Sequence, residues 1–137
     1  MPRIDRTMAV HYNKTQMIWL DNEASKGGKP WLNPYSQTAQ NYLLEVVKEV
    51  KNLGVDAILL DGVQFPDLNS NVATFDGEGS VSRNAVLVNF VNSCVSACSG
   101  TPVICAMKGE AAAGGSSDIY NAALWSANAS AFAVDLS

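Results

Sequence analysis

From residue 36 onward the chain alternates between two hydrophobic rhythms. Tyr42, Leu43, Val46, Val47, Val50 and Leu53 recur at helical spacing, with Ser36 placed to cap the start and Gly54 to stop the end. Ala57 to Leu60 follows as an uninterrupted apolar run, which predicts a buried strand of a parallel sheet. The unit then repeats. Val86, Leu87, Phe90, Val91, Cys94 and Cys98 form a second helical face, opened near Ser80 or Ser82 and closed by Gly100, and Pro102 to Met107 is the next strand. Ser117 can cap a third helix through Ile119, Ala122, Ala123 and Ala127, before a last strand from Ala131 to Leu136. Strands separated by helices imply right-handed crossovers, hence neighbouring parallel strands in sequence order with the helices on one outer face.

The first 35 residues follow another pattern. Met8 to Tyr12 and Gln16 to Leu20 are short apolar runs joined by Asn13-Lys14-Thr15, a connection suited to a β-hairpin. A glycine- and lysine-rich loop, Glu23 to Pro30, leads to the aromatic stretch Trp31-Leu32-Asn33-Pro34-Tyr35. The expected organisation is a hairpin and aromatic loop over 1–35, then βα units over 36–137, as one domain or a part of a longer one.

Composition narrows the class. At 47% hydrophobic and 16% charged residues the chain reads as globular. A net charge of −4 with no basic stripe argues against a nucleic-acid partner. No apolar run reaches membrane-span length, and the start, Met1-Pro2-Arg3-Ile4, does not read as a signal peptide. Cys94, Cys98 and Cys105 are odd in number and match no zinc spacing, so they read as buried small hydrophobes. Neither a metal nor a cofactor is expected. His11 is the single histidine, and it lies in the hairpin, away from any Ser/His/Asp arrangement.

Chemistry enters at the strand ends, where parallel α/β folds meet their ligands. Asp61 ends the first strong strand, Glu110 follows the second in Met107-Lys108-Gly109-Glu110, and Asp135 closes the third. Paired carboxyls on one rim are what glycoside hydrolysis needs: one protonates the leaving oxygen, and the other attacks or activates water. A strand-end acid can also simply close the following turn. Trp31, Tyr35 and Phe65 lie in nearby loops, where rings can stack on sugar faces or bury as local core. Gln64 joins them as a candidate substrate contact. Trp125 reads as helix packing. A rival motif, Gly109 to Ser116, resembles the phosphate loop G-x-x-x-x-G-K-[ST], but Gly115 stands where the lysine would be.

Trp31-Leu32-Asn33-Pro34-Tyr35, a helix carrying Tyr42 and Glu49, and then Leu53-Gly54-Val55-Asp56-Ala57-Ile58-Leu59-Leu60-Asp61-Gly62-Val63-Gln64-Phe65-Pro66 resemble a bacterial family of predicted glycosyl hydrolases. That family's predicted fold is a (β/α)8 barrel related to the α-amylase-like enzymes. Its pattern reads W-L-N-P-Y, later K-E-A, then L-G-F-D-E-I-Q-F-D-Y-V-R-F-P. Trp19-Leu20-Asp21 resembles an upstream W-x-D stretch that sits, in the family, in an excursion after a barrel strand. The resemblance implies a glycan substrate and an extracellular or cell-surface location. It casts Asp61 as the acid at the end of a central barrel strand, and Phe65-Pro66 as the turn shaping the cleft floor. Two positions depart: Gly62 and Gln64 replace the family's tyrosine and arginine, removing a stacking ring and a fixed positive charge beside the acid.

A barrel of this type takes ~250 residues. The expected fold is therefore a partial (β/α)8 TIM-type barrel with outer helices and an N-terminal hairpin excursion. Its open side would be met by self-association or by the remainder of a longer chain. The expected function is glycoside hydrolysis of a polysaccharide, with Asp61 as nucleophile or base, Glu110 as general acid and Asp135 as its substitute. The alternatives are a non-catalytic carbohydrate-binding module on a degenerate barrel, gripping glycans through Trp31, Tyr35 and Phe65, and an α/β domain binding a phosphorylated ligand at Gly114 to Ser117.

Overall fold

The computed structural model describes residues 18–20, 30–65, 75, 77–114 and 122–136. Two short strands come first: β1 (Ile18–Leu20) and β2 (Pro30–Leu32) pair antiparallel, with Trp19 opposite Trp31. The strand expected at Gln16 to Leu20 thus finds a partner in a segment expected to be loop; Met8 to Tyr12, its expected hairpin partner, lies outside the described residues. The Asn-Pro-Tyr turn then feeds the first helix. The Asn33 side-chain Oδ1 accepts the Tyr35 N–H at 2.9 Å, its carbonyl accepts the Ser36 N–H at 3.0 Å, and Gln40 Nε2 donates to the Pro34 carbonyl at 2.7 Å. Asparagine side chains build such turns by standing in for backbone. Asn33 is a buried polar residue, and these bonds offset its desolvation.

Helix α1 (Gln37–Asn52) starts where Ser36 Oγ accepts the Ala39 N–H at 3.3 Å, and it runs into Gly54 at φ +81°. It buries Ala39, Leu43 and Val47, one residue per turn on one face. Leu53, expected on that face, is instead the C-cap and is 81% exposed. Helix α2 (Arg83–Ala97) starts where Ser82 Oγ accepts the Ala85 N–H at 3.2 Å. It buries Val86, Leu87, Phe90, Val91 and Cys94, and the chain turns out through Gly100 at φ +88°.

The central sheet holds β3 (Ile58–Leu60), β4 (Val103–Lys108) and β5 (Ala131–Asp135), parallel and in sequence order. Its register aligns Leu60 with Cys105 and Phe132, and Lys108 with Asp135. Helices α1 and α2 cover one face. Ile58, Leu60, Val103, Cys105 and Met107 are buried there against Leu43, Val47, Leu87, Phe90 and Val91. Strand side chains alternate between faces, so Leu59, Ile104, Ala131, Ala106, Ala133, Lys108 and Asp135 share the other face. Leu59 is 58% exposed. The unbroken apolar run of β3 therefore does not report burial on both sides.

The described parts of the last crossover differ from the α-helix expected there. Helix α3 (Gly109–Ala112) begins directly after β4, and a 3-10 helix (Ala122–Ser126) stands where the third α-helix was expected to continue. Ser117 and Ile119 lie outside the described residues. Leu124 and Ala127 reach the core, while Asn128 N–H donates to Asn92 Oδ1 of α2 at 2.8 Å and anchors the approach to β5.

Candidate active site

The carboxyl ends of the three strands place their acids at two levels of the helix-free face. Asp61 is the first residue past β3, level with Ala106 if the β3–β4 register is continued by one residue. Asp135 ends β5, level with Lys108 and thus two residues further along. Two strand spacings across and two residues along put their Cα atoms about 12 Å apart. Asp61 is exposed, and its Oδ1 accepts the N–H of Gly62 at 2.7 Å. Gly62 has φ +66°, the left-handed region, and its carbonyl accepts the Gln64 N–H at 2.9 Å. A tight turn thus begins at once after the acid, with the acid's own carboxylate bonded into it. The residue that departs from the family pattern is the one that adopts this conformation at least cost.

Asp135 is half-buried and its Oδ2 pairs with Lys108 Nζ across the β4–β5 ladder. Glu110 is exposed in the first turn of α3. The turn around it packs against the end of β5: a Cβ placed on Gly109 would lie 3.4 Å from the Asp135 carbonyl oxygen. The turn that carries Glu110 thus meets the carboxyl end of β5 through Gly109. The sequence pointed to the acids but not to Lys108; the signal was a lysine closing an otherwise apolar strand in Met107-Lys108-Gly109-Glu110.

The aromatic residues divide. Phe65 is 2% exposed, and its ring meets Phe75 at 5.1 Å and Tyr35 at 6.0 Å between centroids. The Arg83 guanidinium lies over both phenylalanines, 5.1 and 5.4 Å from their centroids, while its Nε donates to Glu78 Oε1 at 2.7 Å. Glu78 Oε2 also accepts the Phe75 N–H at 3.2 Å. The Arg83 contact holds the Glu78 carboxyl below its ordinary range. Phe65 is thus core, pinned by a cation, and presents no open ring face to a sugar. Tyr35 is half-buried, and burial, then the Glu78 charge, pushes its phenol up against the opposing pull of Arg83. Its hydroxyl is buried without a hydrogen-bond partner among the described residues. Gln64 is half-buried. Trp31 lies in β2, and its ring falls outside the described part. Trp125, expected to be packed away, is 46% exposed, its ring 4.7 Å from Phe132 and its Nε1 donating to the Ala112 carbonyl at 3.3 Å.

Residues 109–112 of the phosphate-loop candidate are helical, and 115–117 lie outside the described residues. Cys94, Cys98 and Cys105 are free and buried. Burial pushes the Cys94 thiol up to about 12 and the Cys105 thiol up to about 11. They are inert small hydrophobes, because the thiolate is the reactive form. Among the described residues no group of three or more His, Cys, Asp and Glu is placed to hold a metal ion, and no helix is long and apolar enough to cross a membrane.

Residues 3–133 match the family described as "Putative glycosyl hydrolase domain". No curated protein and no solved structure matches the chain.

Proposed function

The chain belongs to the putative glycosyl hydrolase domain family, and on that premise we propose that it hydrolyses glycosidic bonds of a polysaccharide with strand-end carboxylates. The observation that carries this reading is the placement of Asp61 and Asp135 at the carboxyl ends of parallel strands, on the face that the helices leave open. Three in-order parallel strands backed by helices are also consistent with an arc of a (β/α)8 barrel, whose interior this face would line.

The chemistry needs two roles. An acid gives its proton to the glycosidic oxygen as the bond to the anomeric carbon breaks. A carboxylate either bonds to that carbon or takes a proton from the water that attacks it. Asp61 is assigned the carboxylate role: it is exposed at the carboxyl end of β3, and the Gly62 N–H that its Oδ1 accepts fixes its orientation. Glu110 is assigned the acid role, being exposed on the turn that follows β4.

A second reading is favoured by specific residues. Gly62 and Gln64 stand where the resembled pattern has tyrosine and arginine, and Phe65 is buried. A cleft without these contacts can still hold a glycan without turning it over. Reducing-end release from a panel of bacterial polysaccharides, measured beside equilibrium binding to the same glycans, separates the two. Hydrolysis is expected for the native chain, with Asp61→Asn lowering it at least ~100-fold while binding stays within a few-fold. Binding with no release from any glycan would replace the enzyme by the binding module.

A further inference from the structure

Lys108 and Asp135 are same-face neighbours on β4 and β5, and their side chains pair at the carboxyl end of the sheet. The pair is an odd thing for the fold to keep. Its side chains are 35% and 41% exposed, and ion pairs that open to water contribute little to stability. The rest of that face along the two strands is Ile104, Ala106, Ala131 and Ala133.

We infer that Lys108 is a positioning residue that holds Asp135 as a standing carboxylate, and that Asp135 is therefore an anion of the site and not a substitute proton donor. The inference rests on the glycoside hydrolase reading and deepens it. An ammonium in contact with a carboxylate favours its charged form. A proton donor needs the opposite, an environment that keeps the proton on until the leaving oxygen takes it. Contact with Lys108 thus disqualifies Asp135 from the role in which it would replace Glu110. On the described elements next to Asp135, Lys108 comes from β4 and Glu110 from α3, with Asp61 two strands away. Lys108 is the cation in contact with it. Glu110, on the turn packed against the end of β5, keeps the donor role.

The test is a carboxyl-carbon NMR titration of Asp135 in the whole chain, in the native protein, Lys108→Met and Lys108→Arg. The methionine variant keeps the unbranched stem but for its last atom and removes the charge, and its thermal unfolding midpoint checks that it folds. The Asp135 midpoint is expected to rise by about one pH unit or more in Lys108→Met and to return toward the native value in Lys108→Arg. Equal midpoints in the native protein and Lys108→Met would overturn the inference; so would a variant that moves the thermal midpoint and leaves the titration alone, since a merely structural contact does that. With a glycan that is hydrolysed, the acid limb of the pH–rate profile is expected to move up by the same amount as the Asp135 midpoint. A limb that does not follow would remove Asp135 from the reaction. A shifted midpoint in a chain that hydrolyses no glycan would leave Lys108 in its electrostatic role and sink the glycoside hydrolase reading instead.

Discussion

The two faces of the central sheet are made from the same three strands and share almost nothing else. On the helix side, Leu60, Cys105 and Met107 are at most 9% exposed and pack against α1 and α2. On the other side, one residue along the same strand, Leu59 is 58% exposed, and the strand ends carry Asp61 and the Lys108–Asp135 pair. Apolar burial fixes the first face. The second is left uncovered by α1 and α2 and carries the charge. Stability and candidate chemistry are thus separated by the two-residue period of a strand, so changes of equal size on adjacent residues should have unequal consequences.

The largest effect tests this directly. Leu60→Ala should cost about 2–4 kcal/mol through lost burial and the cavity left behind. Leu59→Ala should cost under about 1 kcal/mol, as surface substitutions do. Urea denaturation of both variants decides it. Equal costs would mean that something packs on the second face, a second copy or more of the chain, and repeating the pair across protein concentrations would tell a self-associated state from a monomer.

Next is a pH effect confined to the helix side. Burial pushes the thiols of Cys94 and Cys105 up from the ordinary 9.0 to about 12 and about 11. Above pH 9 the unfolded chain releases these protons and the folded chain keeps them. Stability is therefore full below pH 9 and falls as pH rises, by up to about 1.4 kcal/mol per pH unit for each thiol. Cys94→Ala should lower stability at pH 7 but flatten its decline between pH 9 and 11, as read by chemical denaturation at each pH. A slope that the substitution leaves unchanged would show that the helix side is wetter than its packing implies. The smallest effect belongs to the open face: Ala133→Ser should change stability by less than about 0.5 kcal/mol, because the added hydroxyl meets water. A loss above 1 kcal/mol there would mark a hidden contact.

Much of the helix side was legible in the sequence. Ser36 and Ser82 announce α1 and α2 because a hydroxyl before an apolar helical rhythm satisfies an orphan N–H, a local requirement that the sequence states locally. The strands β3, β4 and β5 are legible for the same reason, as apolar runs between glycine, proline and polar stops. What the pattern could not supply is context. Leu59 looks as buried as Leu60, because an apolar run records composition and not which face has a partner. Phe65 looked like a loop aromatic until Phe75, Tyr35 and Arg83 closed around it, contacts from three separate parts of the chain. Strand β2 is three residues long and opens on a proline, too short for a period to show. At the site, the acids were visible as strand-end punctuation. The pairing of Lys108 with Asp135 was not, since it depends on a register set 27 residues apart.

Gly62 couples its neighbours. Its left-handed backbone at φ +66° is easy for glycine and costs most other residues about 1–2 kcal/mol. A tyrosine placed at this one position, as in the resembled pattern, would therefore strain the turn, and relaxing the turn puts at risk the bond that Asp61 makes to it. Residues 61 to 64 behave as one unit for redesign: the side chain at 62 is not exchangeable without its turn.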